Sequence, residues 1–495
     1  MRVSTRKRFI TPKTIMRTIL TESEIQKIRG ELYSQIKKYP DMTMDLLDAL
    51  CSKNHEPSVA HLSLNAKFRG SYSSMYKVIG KFASKEEGAA GGETANLVKV
   101  KKIEYLETIA KAVPRPEQRP FYLFGIDCTS KERQYAKTLA DRGMVYKPTQ
   151  LKGNKPITIG HNYSMLAVLP ERSEDDAPWT IPLDMSRVST ESTGREMGIN
   201  QLKAVLSNPH VPWHNRLCVT AVDSAYGNKQ FLVPLQEHKN SVIIARVASS
   251  RVFYQSPVPE QTPAGKGHPT WYGAKFELKN PDTHPNQVLH SSYVNRRGKT
   301  IHLTITAWSN LLMRGSKEHP AHKFPFTLLR IERSSENTIL PPMWLMVIGE
   351  CRDELSLLQI YQAYCQRFDL EHTFRFSKQN LLLNAFQTPD VIHEERWVKM
   401  VMLAYVQLWM AHSLAISLPR PWEKGLKVVP SARISPSKVQ QDWFRIISHL
   451  GTPAIPPKPR GFSSGRKSGQ TQSPRPPLPV IKKGKSKIHK PAVAA

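Results

Sequence analysis

Residues 357–383 read LLQIYQAYCQRFDLEHTFRFSKQNLLL, a stretch without Gly or Pro and with apolar side chains at helical spacing. That pattern predicts one long helix. At 3.6 residues per turn, Leu357, Ile360, Tyr364, Arg367, Glu371, Phe374 and Lys378 fall on a single stripe. Gln362, Gln366, Asp369, Thr373 and Asn380 make the opposite stripe, which reads as the solvent face. The inward stripe thus begins apolar and turns into Tyr, Arg, Glu and Lys. Charge on a core-facing stripe is costly unless it is paired or acts on something else. Arg367 and Glu371, four residues apart, can pair as an ordinary ion-pair rung. Whether they do more depends on what the rest of the chain brings to that face.

A chain of 495 residues is long enough for two to four domains and a sizeable core, and its hydrophobic content of 40% is that of a globular protein. Its formal net charge is +30. Residues 452–495 hold ten Lys and Arg and no Asp or Glu, which leaves about +20 on the remainder. The basicity is therefore general, and it points to a polyanionic partner. The five cysteines, Cys51, Cys128, Cys218, Cys351 and Cys365, form no CxxC pair, which argues against a zinc ribbon or disulfide framework and for a reducing compartment. The N-terminus lacks the continuous apolar run of a secretory signal, although an Arg-rich start with no acid before Glu22 leaves a transit peptide open. Residues 398–418 are the one apolar run of membrane-spanning length. They contain Lys399, Gln407 and His412, so they read as a buried helix, and no membrane partner is expected.

In chain order, residues 21–84 read as four short helices. The first opens with a capping box of Thr21 and Glu24, and a break at Tyr39-Pro40 precedes the second. Residues 58–68, a turn at Arg69-Gly70 and residues 71–83 have the outline of a helix-turn-helix. On its second helix Ser71, Tyr72, Ser74, Lys77 and Lys81 are candidates to face DNA, and residues 85–96 form a Gly-rich linker. From Phe121 the pattern changes to strands at 121–126, 158–171, 179–188, 216–223 and 241–247, with helices at 196–206 and 231–235. This is a mixed sheet with helical cover. Residues 251–341 are rich in Pro, Gly and His with strand-like pieces, and read as a β-rich insertion before the chain returns to the sheet at 343–350. The Pro-, Lys- and Ser-rich end, from about 452, is expected to be disordered and to seek polyanions. Glu318, His319 and His322 have a metal-like spacing, but Pro320 breaks the helix that spacing requires.

Two of the predicted strands run into an aspartate, Asp127 and Asp223. In open sheets, sites form at the carboxyl ends of strands. Together with Glu371 on the inward stripe they suggest three converging carboxylates, which cannot all stay ionised without a counter-charge. A pair of Mg²⁺ ions supplies one, and such pairs catalyse phosphoryl transfer.

The segments GIDCTS at 125–130, VDSAYGNKQFL at 222–232 and YCQRFDLEHTFRFSKQ at 364–379 resemble the DDE transposases of bacterial insertion sequences. The resemblance is to the group with a Tyr-x2-Arg-x3-Glu-x6-Lys motif, which Tyr364, Arg367, Glu371 and Lys378 match at every step. It covers roughly residues 20–420 and implies an α/β, ribonuclease-H-like core with an N-terminal helical domain. The expected division is a DNA-binding region at 1–95, a catalytic core at 96–250 and 342–420 and the insertion at 251–341; the resemblance does not reach the basic Pro-rich tail at 421–495. Asp127, Asp223 and Glu371 would hold two Mg²⁺, for which Mn²⁺ can substitute. Tyr364, Arg367 and Lys378 would grip phosphates, and Trp271 in the insertion would hold a flipped base. Double-stranded DNA, as terminal inverted repeats and target, would be the partner, engaged by a homodimer in the bacterial cytoplasm at the nucleoid. Two other outcomes share this core: a DNA-binding derivative that no longer cuts, and a structure-selective nuclease that cuts without joining.

Overall fold

The computed structural model describes residues 20–52, 56–82, 103–147, 156–173, 176–257, 271–285, 288–296, 299–335, 338–417, 434–457, 469 and 476–481. The linker expected at 85–96 and the possible transit segment before residue 20 lie outside these residues.

Helix α1 (Glu22–Gln35) opens on the reciprocal capping box of Thr21 and Glu24. The chain then passes through Tyr39 in the left-handed region, φ 54°, and Pro40 starts α2 (Pro40–Cys51). Of residues 58–68, expected as a full helix, only Ala60–Leu64 are helical, as a short 3-10 turn. Helix α3 (Tyr72–Lys81) follows, capped by the Ser71 hydroxyl. The hairpin outline survives with a stunted first member. α4 (Leu106–Ala110) leads to the sheet.

The sheet strands are β1 (Tyr122–Glu132), β2 (Gly143–Tyr146), β3 (Ile157–Val168) and β4 (Ile181–Val188), followed, after α5 (Gly194–Leu206), by β5 (Cys218–Val222). After α6 (Lys229–Leu232) comes β6 (Ser241–Val247); β7 (Val252–Tyr254) and β8 (Lys275–Glu277) form a separate two-stranded ribbon, bridged from Tyr254 to Leu312. Strands β9 (Val288–Arg296), β10 (Lys299–Leu311), β11 (Phe326–Ser335) and β12 (Thr338–Ile348) complete the set. β1 pairs antiparallel with β3 and parallel with β5, and β5 is parallel to β6. β4 lines the outer edge of β3. This is a mixed α/β arrangement compatible with the expected ribonuclease-H-like core. The β-rich segment does not stand off as a separate module. β12 pairs antiparallel with β6, so β12, β11, β10 and β9 continue the same sheet outward.

The expected single helix over 357–383 is two, α7 (Leu357–Gln366) and α8 (Asp369–Asn380). Neither Gly nor Pro marks the break. Arg367, Phe368, Leu370 and Glu371 instead donate to carbonyls three residues back, tightening the backbone there. The inward stripe holds, with Ile360, Tyr364 and Phe374 buried. The predicted solvent face holds only in part: Gln362 is exposed, but Asp369 and Thr373 are each 1% exposed. The segment before β4 covers them. Arg172 grips the Asp369 carboxylate with two nitrogens, at 2.7 and 2.9 Å, and Thr373 bonds Thr180 at 2.8 Å.

α9 (Val391–Met410) is the buried helix foreseen at 398–418; α10 (Leu414–Ser417) follows it. Among the described residues no helix is long and apolar enough to cross a membrane. α9 also ties the N-terminal helices to the sheet. Buried Arg29 of α1 pairs with Asp48 of α2 at 2.8 Å and donates to Gln407 of α9. Within 421–495, expected as tail, residues Pro436–Leu450 form an amphipathic helix, α11. It buries Val439, Trp443, Ile446 and Ile447, and its Gln440 amide donates to the carbonyls of Leu50 and Asn380. Further on, Leu478 and Ile481 donate backbone N–H groups to the carbonyls of Lys137 and Arg142, so this part of the Pro-rich end lies against the sheet edge.

Candidate active site

β1 does not end at Asp127, as the sequence suggested, but continues to Glu132 paired with β3 alone. Its parallel partner β5 is the strand that stops, at Val222. Gly125 is level with Ala221, so two residues on, where that pairing gives out, Asp127 and Asp223 stand level on neighbouring strands. Asp223 is fixed by accepting the Ala225 N–H at 2.9 Å, a local turn that opens the DSAYG segment. Asp127 accepts the N–H of Cys128 at 2.8 Å.

α8 crosses this point with Leu370 packed over Gly125, where a Cβ would lie only 2.8 Å from the leucine methyl. That close approach brings Arg367 to Asp127, with Glu371 one helical turn beyond it. Arg367 Nη1 bonds Asp127 Oδ2 at 2.9 Å, and its Nη2 lies 3.8 Å from Glu371 Oε1. The guanidinium also lies over the Tyr364 ring, 5.8 Å from the centroid. The i,i+4 rung therefore exists, but its closer contact is to the strand. One cation holds carboxylates from two elements.

The electrostatics record a shortage of positive charge. Burial, with a further push from Asp223, raises the Asp127 carboxyl to about 6, against the pull of Arg367. Burial raises the Tyr364 hydroxyl, so it keeps its proton, with Arg367 and Arg246 opposing. Arg246, exposed on the otherwise buried strand β6, was not singled out from the sequence. Its signal was present: a lone basic residue inside SVIIARV, a run that otherwise reads as core.

Lys378 lies on the same stripe, half-buried. Burial lowers its pKa, while the charge of Glu132 at the far end of β1 opposes that. It thus lies further along α8 than Glu371, toward the far end of β1. Trp271 is 45% exposed and stacks on His322 with centroids 4.2 Å apart and planes 11° from parallel. Its ring contact is with His322 of the insertion. On α3, Tyr72, Lys77 and Lys81 are exposed, whereas Ser71 and Ser74 are taken up in the helix cap.

Three carboxylates offer only oxygen donors, the choice of a hard divalent cation. The raised Asp127 carboxyl fits such an ion, since a nearby positive charge would relieve it. In the present arrangement Arg367 serves as counter-charge, and among the described residues no three His, Cys, Asp or Glu side chains gather closely enough to hold a metal. The donor types suit a hard cation, but in their present spacing the carboxylates are held by Arg367 and do not enclose one.

Compared with known families, residues 31–315 match the DDE superfamily endonuclease family, more than half of the chain. The match takes in Asp127 and Asp223 and ends before α7, so Glu371 lies beyond it. No curated protein matches the chain.

Proposed function

Since this chain belongs to the DDE superfamily endonucleases, we propose that it is a DNA transposase. In this reading it binds the terminal inverted repeats of its element, cuts DNA strands there and transfers the 3′-OH to target DNA, acting as a homodimer. The observation that carries the reading is the level pair Asp127 and Asp223, with Arg367 joining Asp127 to Glu371. Two level aspartates on neighbouring strands, one of them joined by a cation to a helical carboxylate, suit a site built to take up divalent metal and phosphate.

Asp127, Asp223 and Glu371 would hold the cations, two Mg²⁺ or Mn²⁺ in the full reading. Bound there, such ions stabilise charge on the attacking and leaving oxygens of an in-line phosphoryl displacement. The protein's own residues do the rest. Arg367, relieved of its carboxylates, can turn its planar fork on a phosphate, and Arg246 adds charge beside it. Tyr364 keeps its proton and so can donate a hydrogen bond. Lys378 would hold the strand further along α8, with Lys77 and Lys81 gripping the duplex away from the cut. Trp271 offers a half-exposed ring to an unpaired base.

The test is incubation with linear DNA carrying the element's terminal repeats and Mg²⁺. Nicks at the repeat boundary together with joined products are expected. Cutting without joining would leave a nuclease, and binding without cutting a DNA-binding derivative; either result overturns this reading.

A further inference from the structure

Past Asp127, the end of β1 and the residue just after it carry two further cations inward, and the chemistry proposed above uses neither. Lys131 and Arg133 are 1% and 2% exposed. Both point at one short segment, the link between α8 and α9. Lys131 Nζ donates to the Leu383 carbonyl, and Arg133 donates to the carbonyls of Phe386, at 3.3 Å, and Thr388 and to the Gln387 side chain. Their counter-charge is Glu394 of α9, wholly buried, with Oε2 2.9 Å from Arg133 Nε. His161 and Tyr163 of β3 complete the carboxylate's partners at 2.7 and 3.0 Å. Burial in low dielectric strengthens such charge-assisted bonds and makes their geometry stiff.

The held link continues to the N-terminal helices. The Phe386 ring lies between Trp397 of α9, at 5.4 Å, and Tyr76 of α3, at 6.2 Å and 29° from parallel. Arg396 of α9 caps the other end of α3 by donating to the Gly80 carbonyl. Tyr76 is the neighbour of exposed Lys77. A short path therefore runs from the strand bearing Asp127, through Lys131 and Arg133 to the link, and through Phe386 to the helix bearing Lys77 and Lys81. A surface-bound helix of ordinary kind needs no buried cations at its base.

We propose that Lys131, Arg133 and Phe386 are positioning residues that fix the register between DNA held by α3 and the phosphodiester presented to Asp127. The proposal rests on the reading of this chain as an enzyme that binds and cuts DNA. Loosening the link would leave both ends of the path intact but let their separation vary, so the cut would wander along the strand. Loss of fold alone would lower the amount of cutting without moving it.

The experiment maps nicks at nucleotide resolution on end-labelled DNA bearing the terminal repeat, per folded molecule, for wild type, Lys131→Met and Phe386→Leu. Lys131→Met removes a cation but leaves Arg133 and His161 on Glu394; Phe386→Leu leaves every charge in place and serves where the first variant folds poorly. Nicks spread over two or more adjacent phosphodiesters, with roughly tenfold less cutting at the wild-type position and faster hydrogen exchange of α3 amides, are expected. Nicks confined to the wild-type phosphodiester in Phe386→Leu would overturn the proposal while leaving the enzyme reading untouched. Absence of any nicking by wild type would overturn both.

Discussion

Replacing Asp127 by Asn should make the metal-free protein more stable at neutral pH while ending its activity. In the fold the Asp127 carboxyl is raised from 3.8 to about 6 by burial and by Asp223, even with Arg367 beside it. A raised carboxyl binds protons more tightly folded than unfolded. Its contribution is therefore fully present below the unfolded value, is lost as pH rises through the folded one, and is gone above about pH 6.5. Two units at about 1.4 kcal/mol each make the loss about 3 kcal/mol. Asparagine has the shape of the protonated acid and carries no such loss. Unfolding entropy of about 2.1 cal/mol/K per residue over the chain gives about 1 kcal/mol/K, so the variant should melt about 3 °C higher at pH 7.5.

The opposing term is the ion pair itself. Arg367 loses its 2.9 Å partner in the variant, and stripping a partner from a fully buried charge costs about 3–5 kcal/mol. Here Arg367 keeps the Tyr364 ring and Glu371, and the charge of Asp223 acts on it as well. Its charge is thus not orphaned, and the burial term should prevail. The assay is thermal melting of both proteins with chelator and without DNA, from pH 4.5 to 8. The gap should close toward pH 4.5. Adding Mg²⁺ at pH 7.5 should raise the wild-type midpoint by mass action and leave the variant's nearly unchanged. A variant less stable than wild type at pH 7.5 would show that the Asp127–Arg367 pair outweighs burial and that the strand aspartate is a structural partner.

Asp223→Ala and Glu371→Ala should each abolish Mg²⁺-dependent nicking and leave binding to terminal-repeat DNA within a fewfold; near-normal nicking by either removes that residue from the site. Arg367→Lys keeps the charge and loses the fork, so it should fold and bind ends yet cut at least tenfold more slowly, as measured in single-turnover nicking. Lys378→Ala, far from the carboxylates and facing Glu132, should change the melting point little and cut about ten- to a thousandfold less. A large fall in melting point with cutting per folded molecule preserved would make Lys378 a brace. Lys77→Ala with Lys81→Ala should weaken DNA binding and flatten its dependence on log salt by up to about two contacts; an unchanged slope places the contacts elsewhere.

How much of this was legible in the sequence depended on the range of the interaction that decides each feature. Local chemistry was readable: the Thr21–Glu24 capping box, the break at Pro40, and the strands of the central sheet follow from residues a few positions apart. So was the inward stripe of the 357–383 stretch, because helical spacing alone sets which side chains share a face. Long-range partners were not readable. Asp369 and Thr373 looked like solvent-facing residues until Arg172 and Thr180, nearly two hundred residues upstream, covered them. Nothing in the stretch itself signals its break at Arg367, where the backbone tightens without Gly or Pro. The same limit hid the fate of the 251–341 segment, whose composition says β but whose strands β9 to β11 join β12, itself paired with β6, in one continuous sheet. The candidate site lies across that boundary. Its residue types were legible because two aspartates after apolar runs, and Glu371 with its basic neighbours, are uneconomical in a core that does nothing. Its present state was not, because the sequence could not tell that Arg367 would reach Asp127 on the strand more closely than Glu371 on its own helix. That difference decides how such a site must work. In the reading proposed above, a cation entering among the carboxylates would meet a guanidinium already there, so metal uptake and the turning of Arg367 toward DNA phosphate would be two sides of one exchange.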